Sequence, residues 1–232
     1  MTIVVAAGLL PAIILLIYVY KMDRVEKEPV GLILKLVIFG AICTVPAGIL
    51  ERIFMPAAEQ LLPQPEYALE SSLVSNFIIV AIAEEGCKHF ALRRSTWNNR
   101  EFNCLYDGVV YAAAVSLGFA GLENLMYIFG FGLSVAPVRA LTAIPLHAIT
   151  GIFMGHYYGM ARYYARYGRT GRSRAYKFLS MLIPVFIHGL YDFLADVQGE
   201  GPGKWCFLLF VVILDIIALL SVRRYSREDS YM

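Results

Sequence analysis

Glu84 and Glu85 stand side by side inside an apolar run, L-V-S-N-F-I-I-V-A-I-A-E-E-G-C-K-H-F, with Lys88 one turn further on. An ionisable side chain within a bilayer costs about 3 kcal/mol or more, so such residues persist where they are paired or used. Adjacent carboxylates also repel one another. Three other apolar runs carry polar groups of the same kind. One holds Glu123 and Asn124, with Tyr127 a turn later; one holds His147, followed at steps of four by Gly151 and Gly155; one holds His188 and Asp192 at i and i+4. That last spacing puts the imidazole and the carboxylate on one helix face. Carboxylates and imidazoles drawn from four segments can activate a water or hold a divalent metal. The candidate catalytic set is therefore Glu84, Glu85, Glu123, His147, His188 and Asp192, with Lys88, Asn124 and Tyr127 in support. Glu85, Glu123, His147 and His188 are the candidate metal ligands, and Zn²⁺ suits such a mixture of N and O donors. No H-E-x-x-H occurs, so the ordinary zincin signature is absent. A glutamate acting alone as general base is the other mechanism these residues allow.

Plainer readings compete at each position. Glu84 and Lys88 at i and i+4 can form a self-neutralising pair, and a lone histidine in a helix is often structural. His89 lies near the end of its segment, and His156 follows His147 by nine residues, half a turn out of phase, so neither joins the set. Asp107 opens its segment as an N-terminal charge. Lys35 can snorkel to the membrane surface. Asp215, in the middle of the last apolar run, has no role in this reading.

The elements that position these groups follow from composition. Of the 232 residues, 59% are hydrophobic, and the mean hydropathy is +0.62, which places the chain among polytopic membrane proteins. About 20 apolar residues cross a bilayer as a helix. Seven segments qualify: 2–20, 30–50, 71–92, 105–129, 137–161, 177–195 and 204–222. The expected architecture is an all-α bundle of seven spans forming a single domain over 1–232. Alternate connections carry the basic residues: Lys21, Arg24 and Lys27; Arg93, Arg94 and Arg100; Arg162, Arg166, Arg169, Arg172, Arg174 and Lys177; and Arg223, Arg224 and Arg227 in the tail. The opposite side offers Arg52, Arg139 and Lys204. This bias puts the N-terminus outside and the C-terminus in the cytoplasm. On these spans Glu85 falls about 10 Å deeper toward the cytoplasm than Glu123, at roughly 1.5 Å per residue.

The first apolar run lacks a basic start and a small-residue cleavage pattern, so it reads as a retained anchor. Cys43, Cys87, Cys104 and Cys206 form no close metal-type pair and no disulfide framework is expected. The basic cluster at 162–177 reads as a flank against anionic lipid rather than a nucleic-acid surface.

Six blocks, in this order, resemble the PrsW family of bacterial intramembrane proteases: D-R-V-E-K-E-P at 23–29, E-E-G-C-K at 84–88, Y-D-G-V-V-Y at 106–111, G-F-A-G-L-E-N-L-M-Y at 118–127, H-A-I-T-G at 147–151 and H-G-L-Y-D at 188–192. That family is distantly related to the CAAX prenyl protease and bacteriocin-processing group, whose members carry a histidine where this chain has Glu123. The resemblance implies a multi-pass protease of a bacterial cell membrane that cuts a membrane-anchored substrate. Members are linked to cleaving an anti-sigma factor on its outer side in regulated intramembrane proteolysis. It also implies that Glu84 and Glu85 form the family's glutamate pair, and that Glu123, His147, His188 and Asp192 match its other polar motifs. The rival readings are an ion- or proton-coupled transporter, since intramembrane carboxylates and histidines also build ion pathways, and a non-catalytic membrane scaffold.

Overall fold

The computed structural model describes residues 2–199 and 202–232. Helices follow one another from end to end: α1 (Thr2–Met22), α2 (Val30–Leu61), α3 (Ala68–Leu73), a π-helical stretch (Val74–Val80), α4 (Ala81–Thr96) and α5 (Asp107–Phe131). Gly132, at φ 88°, ends α5. A 3₁₀ turn (Leu133–Val135) and α6 (Ala136–Leu141) then lead to α7 (Ala143–Arg166), α8 (Thr170–Val197) and α9 (Pro202–Arg227). No named strand occurs among the described residues. The chain is an all-α membrane bundle, as its hydropathy pattern implies.

Among the described residues, six helical segments are long and apolar enough to cross a membrane. The seventh expected span, 71–92, falls within α3, the π stretch and α4. These run on without a break for about 43 Å at 1.5 Å per residue, and Glu84, Glu85 and Lys88 are what make the run too polar to qualify by composition. The helix least suited to lipid is thus the one that carries the glutamate pair.

Burial sorts the helices. Every residue of α5 from Asp107 to Gly121 is buried, as expected of a helix enclosed on all sides. α2 and α9 instead leave rows of large apolar side chains uncovered. Leu34, Ile38, Ile42, Val45, Ile49 and Ile53 recur at three- and four-residue steps on α2, an apolar stripe suited to lipid.

Two close approaches fix the site helices. A Cβ on Gly155 of α7 would fall on the backbone of Gly108 in α5, so the small residue lets the two helices touch. A Cβ on Gly189 of α8 would lie 2.6 Å from the Phe77 ring. Phe77 belongs to the π stretch, and Gly189 adjoins His188. The locally widened turn therefore meets α8 beside the candidate site residue His188, a common setting for π segments.

The connections bearing most of the basic residues gather at one end. Ser226 Oγ donates to Met22 O at 2.5 Å, and Asn103 Nδ2 donates to Glu26 Oε2 at 3.3 Å. Leu105 N donates to Ser230 O at 3.1 Å. Arg166 donates to Phe102 O and Met232 O, both at 2.9 Å. The α1–α2 loop, the α4–α5 loop, the end of α7 and the C-terminal tail are thereby tied together.

Candidate active site

α4 sets the core of the site. Glu84, Glu85 and Lys88 project from neighbouring turns, and all three are buried. Lys88 Nζ lies 3.0 Å from Glu84 Oε2 and 2.9 Å from Glu85 Oε1. It also lies 3.0 Å from His147 Nδ1 and 4.0 Å from the centre of the Phe119 ring. The pair reading of Glu84 with Lys88 is therefore correct but incomplete, because one ammonium serves both carboxylates and an imidazole from α7.

The two histidines face different partners. An ammonium can only donate, so His147 Nδ1 accepts from Lys88. Its Nε2–H then donates to Glu123 Oε2 at 3.1 Å. His188 Nδ1 lies 2.7 Å from Glu85 Oε1, and Nε2 lies 3.1 Å from Asp192 Oδ2. Both ring nitrogens of His188 face carboxylate oxygens, so whichever nitrogen carries the proton donates to a carboxylate. The rings of His147 and His188 meet edge to face with centroids 5.3 Å apart.

Glu123 sits at the outer edge of this network. Arg139 Nη2 binds its Oε2 at 2.5 Å, and Arg139 Nε donates to Asn124 Oδ1 at 3.1 Å. Asn124 in turn donates to Gly8 O of α1 at 3.0 Å, and the guanidinium stacks on Tyr127 at 3.7 Å. The depth offset between Glu85 and Glu123 is bridged by the series Glu85, Lys88, His147, Glu123. Asn124 and Tyr127 act one step back, through Arg139. Sequence reasoning counted Arg139 only as an outer charge. The signal available was a guanidinium at the outer edge of an apolar run, needing a carboxylate partner such as Glu123.

A cavity of about 620 Å³ adjoins the cluster. Glu84, Glu123, His147, His188 and Asp192 line it, together with Glu51. Asp196 and Gln198, near the end of α8, line it too, so it reaches toward the end opposite the basic loops. Glu85 does not line it and is fully buried. At the mouth, Ser72 Oγ donates to Asp196 Oδ2 at 2.5 Å, joining α3 to α8. His89 and His156 lie elsewhere: His89 contacts Ser180 Oγ at 2.9 Å, and His156 stacks on Tyr225 with centroids 3.8 Å apart.

Residues 28–220 match the family described as PrsW family intramembrane metalloprotease. The chain belongs to the PrsW family. It is 33% identical to a Protease PrsW of Oceanobacillus iheyensis, over 97% of both chains. It is 36% identical to one of Geobacillus kaustophilus, over 97% of this chain and 95% of that one. It is 35% identical to one of Bacillus subtilis, over 91% and 90%. No solved structure matches. The chain is thus a multi-pass membrane protease with bacterial relatives, acting on a membrane protein substrate.

The PrsW family name implies a metal, and the donors here fit one. One ligand atom from each of Glu84, Glu85, His147 and His188 lies within 4.8 Å of the others. Glu85 Oε2 is buried with no hydrogen-bond partner, while Lys88 Nζ engages Glu84 Oε2, Glu85 Oε1 and His147 Nδ1, so an ion here would have to displace that ammonium. Two carboxylates and two imidazoles form a donor set suited to Zn²⁺. Glu123, expected among the ligands, is held by Arg139 and His147 Nε2 instead, and Glu84 takes its place in the four-residue group.

Proposed function

We propose that the chain hydrolyses a peptide bond of a membrane-anchored protein in a bacterial plasma membrane, on the side away from its basic loops, with water as the attacking group. The observation that carries this reading is the single buried network of Glu84, Glu85, Lys88, His147 and His188 beside a cavity of about 620 Å³. A cavity of this size accommodates a short stretch of extended substrate.

A divalent metal held by Glu85, His147 and His188 would lower the pKa of an attacking water and polarise the scissile carbonyl, leaving Glu84 free beside it. Glu84, the member of the pair that lines the cavity, takes the proton of the water and returns it to the leaving amine. Lys88 keeps both carboxylates in place. Glu123 fixes the tautomer of His147 through Nε2–H, and Asp192 orients His188 from the cavity side; such outer partners set the direction of the groups that do the chemistry. The substrate that best suits an outward-facing protease of this family is an anti-sigma factor, whose cleavage would start release of a transcription factor inside the cell.

The test is cleavage of a single-span substrate by protein reconstituted in liposomes. Glu84→Gln combined with Glu85→Gln, at equal membrane abundance, loses at least about a hundredfold in rate, the lower end of what a general base contributes. Undiminished cutting would make the pair structural and leave a scaffold or transporter as the better reading. For orientation, a reporter after Tyr225 should read cytoplasmic and one near Gly199 external; an external signal at Tyr225 reverses the proposed side of cutting.

A further inference from the structure

The end with the basic loops holds a second group of buried carboxylates. Asp23 and Glu28 come from the α1–α2 loop, and Asp107 is the first residue of α5. Their exposures are 2%, 3% and 0%, and one oxygen from each lies within 4.8 Å of the others. Part of the group is satisfied by the protein. Asp107 Oδ2 accepts from Asn103 N at 2.9 Å and Cys104 N at 2.6 Å. Glu28 Oε2 accepts from Tyr111 Oη at 2.5 Å.

The remainder is not satisfied. Both side-chain oxygens of Asp23 and Oδ1 of Asp107 are buried without a hydrogen-bond partner. Lys27 is the cation best placed to answer them. Its ammonium instead donates to main-chain carbonyls: Tyr20 O at 2.8 Å, Lys21 O at 3.2 Å, and Asp23 O. Asp229 Oδ1 is bound by Tyr106 N at 2.9 Å, and its Oδ2 is likewise without a partner. A buried, unpaired carboxylate is strongly disfavoured, so the arrangement calls for an occupant.

We propose that Asp23, Glu28 and Asp107 form a second metal site, separate from the hydrolytic centre, that takes a hard divalent cation, Ca²⁺ or Mg²⁺. The donors are all oxygens, which suit these ions rather than Zn²⁺. Oxygens on opposite sides of Ca²⁺ stand about 4.6–5.2 Å apart, in keeping with the spacing of the group. The site lies where the α1–α2 loop meets the start of α5, next to the tail held by Asp229. An ion there would clamp these segments together without touching the substrate cavity.

The test uses full-length protein in detergent, stripped with chelator and then given Ca²⁺ or Mg²⁺ while thermal unfolding is followed. At a hundredfold excess over Kd, the wild type gains about 5 °C or more in Tm. Glu84→Gln combined with Glu85→Gln keeps that gain, because the hydrolytic centre is elsewhere, and Asp23→Asn loses it. Should Asp23→Asn fail to fold, Tb³⁺ emission sensitised by tyrosine decides on the Glu84→Gln, Glu85→Gln background: the proposal expects a signal that Ca²⁺ or Mg²⁺ displaces. No Tm gain in the wild type, a gain that survives in Asp23→Asn, or Tb³⁺ emission that is absent or resists Ca²⁺ and Mg²⁺ would each overturn it. In those cases a shared proton is the occupant.

Discussion

Buried carboxylates gather at two places in this molecule, and the groups that face them differ. Around α4, Glu84 and Glu85 meet an ammonium and two imidazoles, and a cavity reaches the cluster. At the opposite end, Asp23, Glu28 and Asp107 meet main-chain N–H groups and a tyrosine hydroxyl, and Asp23 keeps two bare oxygens. The first arrangement can move protons, because imidazoles and a water-accessible carboxylate share one network. The second holds no imidazole and does not line that cavity, so it is suited to holding a charge in place. Carboxylate burial alone therefore does not mark a catalytic site; the partners and the access to water do.

The largest effect that would break this contrast is metal removal. Chelator treatment should abolish cleavage and Zn²⁺ should restore it, while Ca²⁺ should not; full activity in chelator would take the metal out of the hydrolytic centre. Next comes Lys88→Met, which leaves two carboxylates buried without their ammonium. Removing one partner of a buried pair costs about 3–5 kcal/mol, so Tm should fall by about 6 °C or more. A smaller change would mean that the glutamates share a proton without needing the lysine. Arg139→Ala acts one step further out, through Glu123 and His147, and should lower cleavage about ten- to a hundredfold with little change in abundance. The smallest effects belong to Ser116→Ala and Cys87→Ala. Ser116 Oγ is buried with no partner beneath Gly151, so its loss should leave the cleavage rate and Tm almost unchanged; a large loss of cleavage in either variant would point to a nucleophilic side chain in place of water.

The sequence made the fold and the membership of the buried α4 cluster legible for a physical reason. A charged side chain in a membrane helix needs a partner within the protein, so Glu84, Glu85, Lys88, His147 and His188 declare themselves against their apolar surroundings. Helix spacing placed His188 next to Asp192, and the structure has them 3.1 Å apart. Three features were not legible. The π stretch at Val74–Val80 arises from packing against Gly189 and has no local pattern. The engagement of Glu123 by Arg139 depends on the turn of α6, which brings an outer arginine back over the site. Asp107 read as an N-terminal charge, because nothing in its own segment reveals that the α1–α2 loop folds Asp23 and Glu28 against it.

The central claim is that the α4 glutamates do chemistry rather than merely neutralise Lys88. Single-turnover cleavage by Glu84→Gln in liposomes tests it most directly, since the amide keeps the shape of the side chain and removes the carboxylate that lines the cavity beside Lys88. The account predicts a rate at least about a hundredfold lower with the protein still folded and inserted. Cleavage at the wild-type rate by that variant would contradict it.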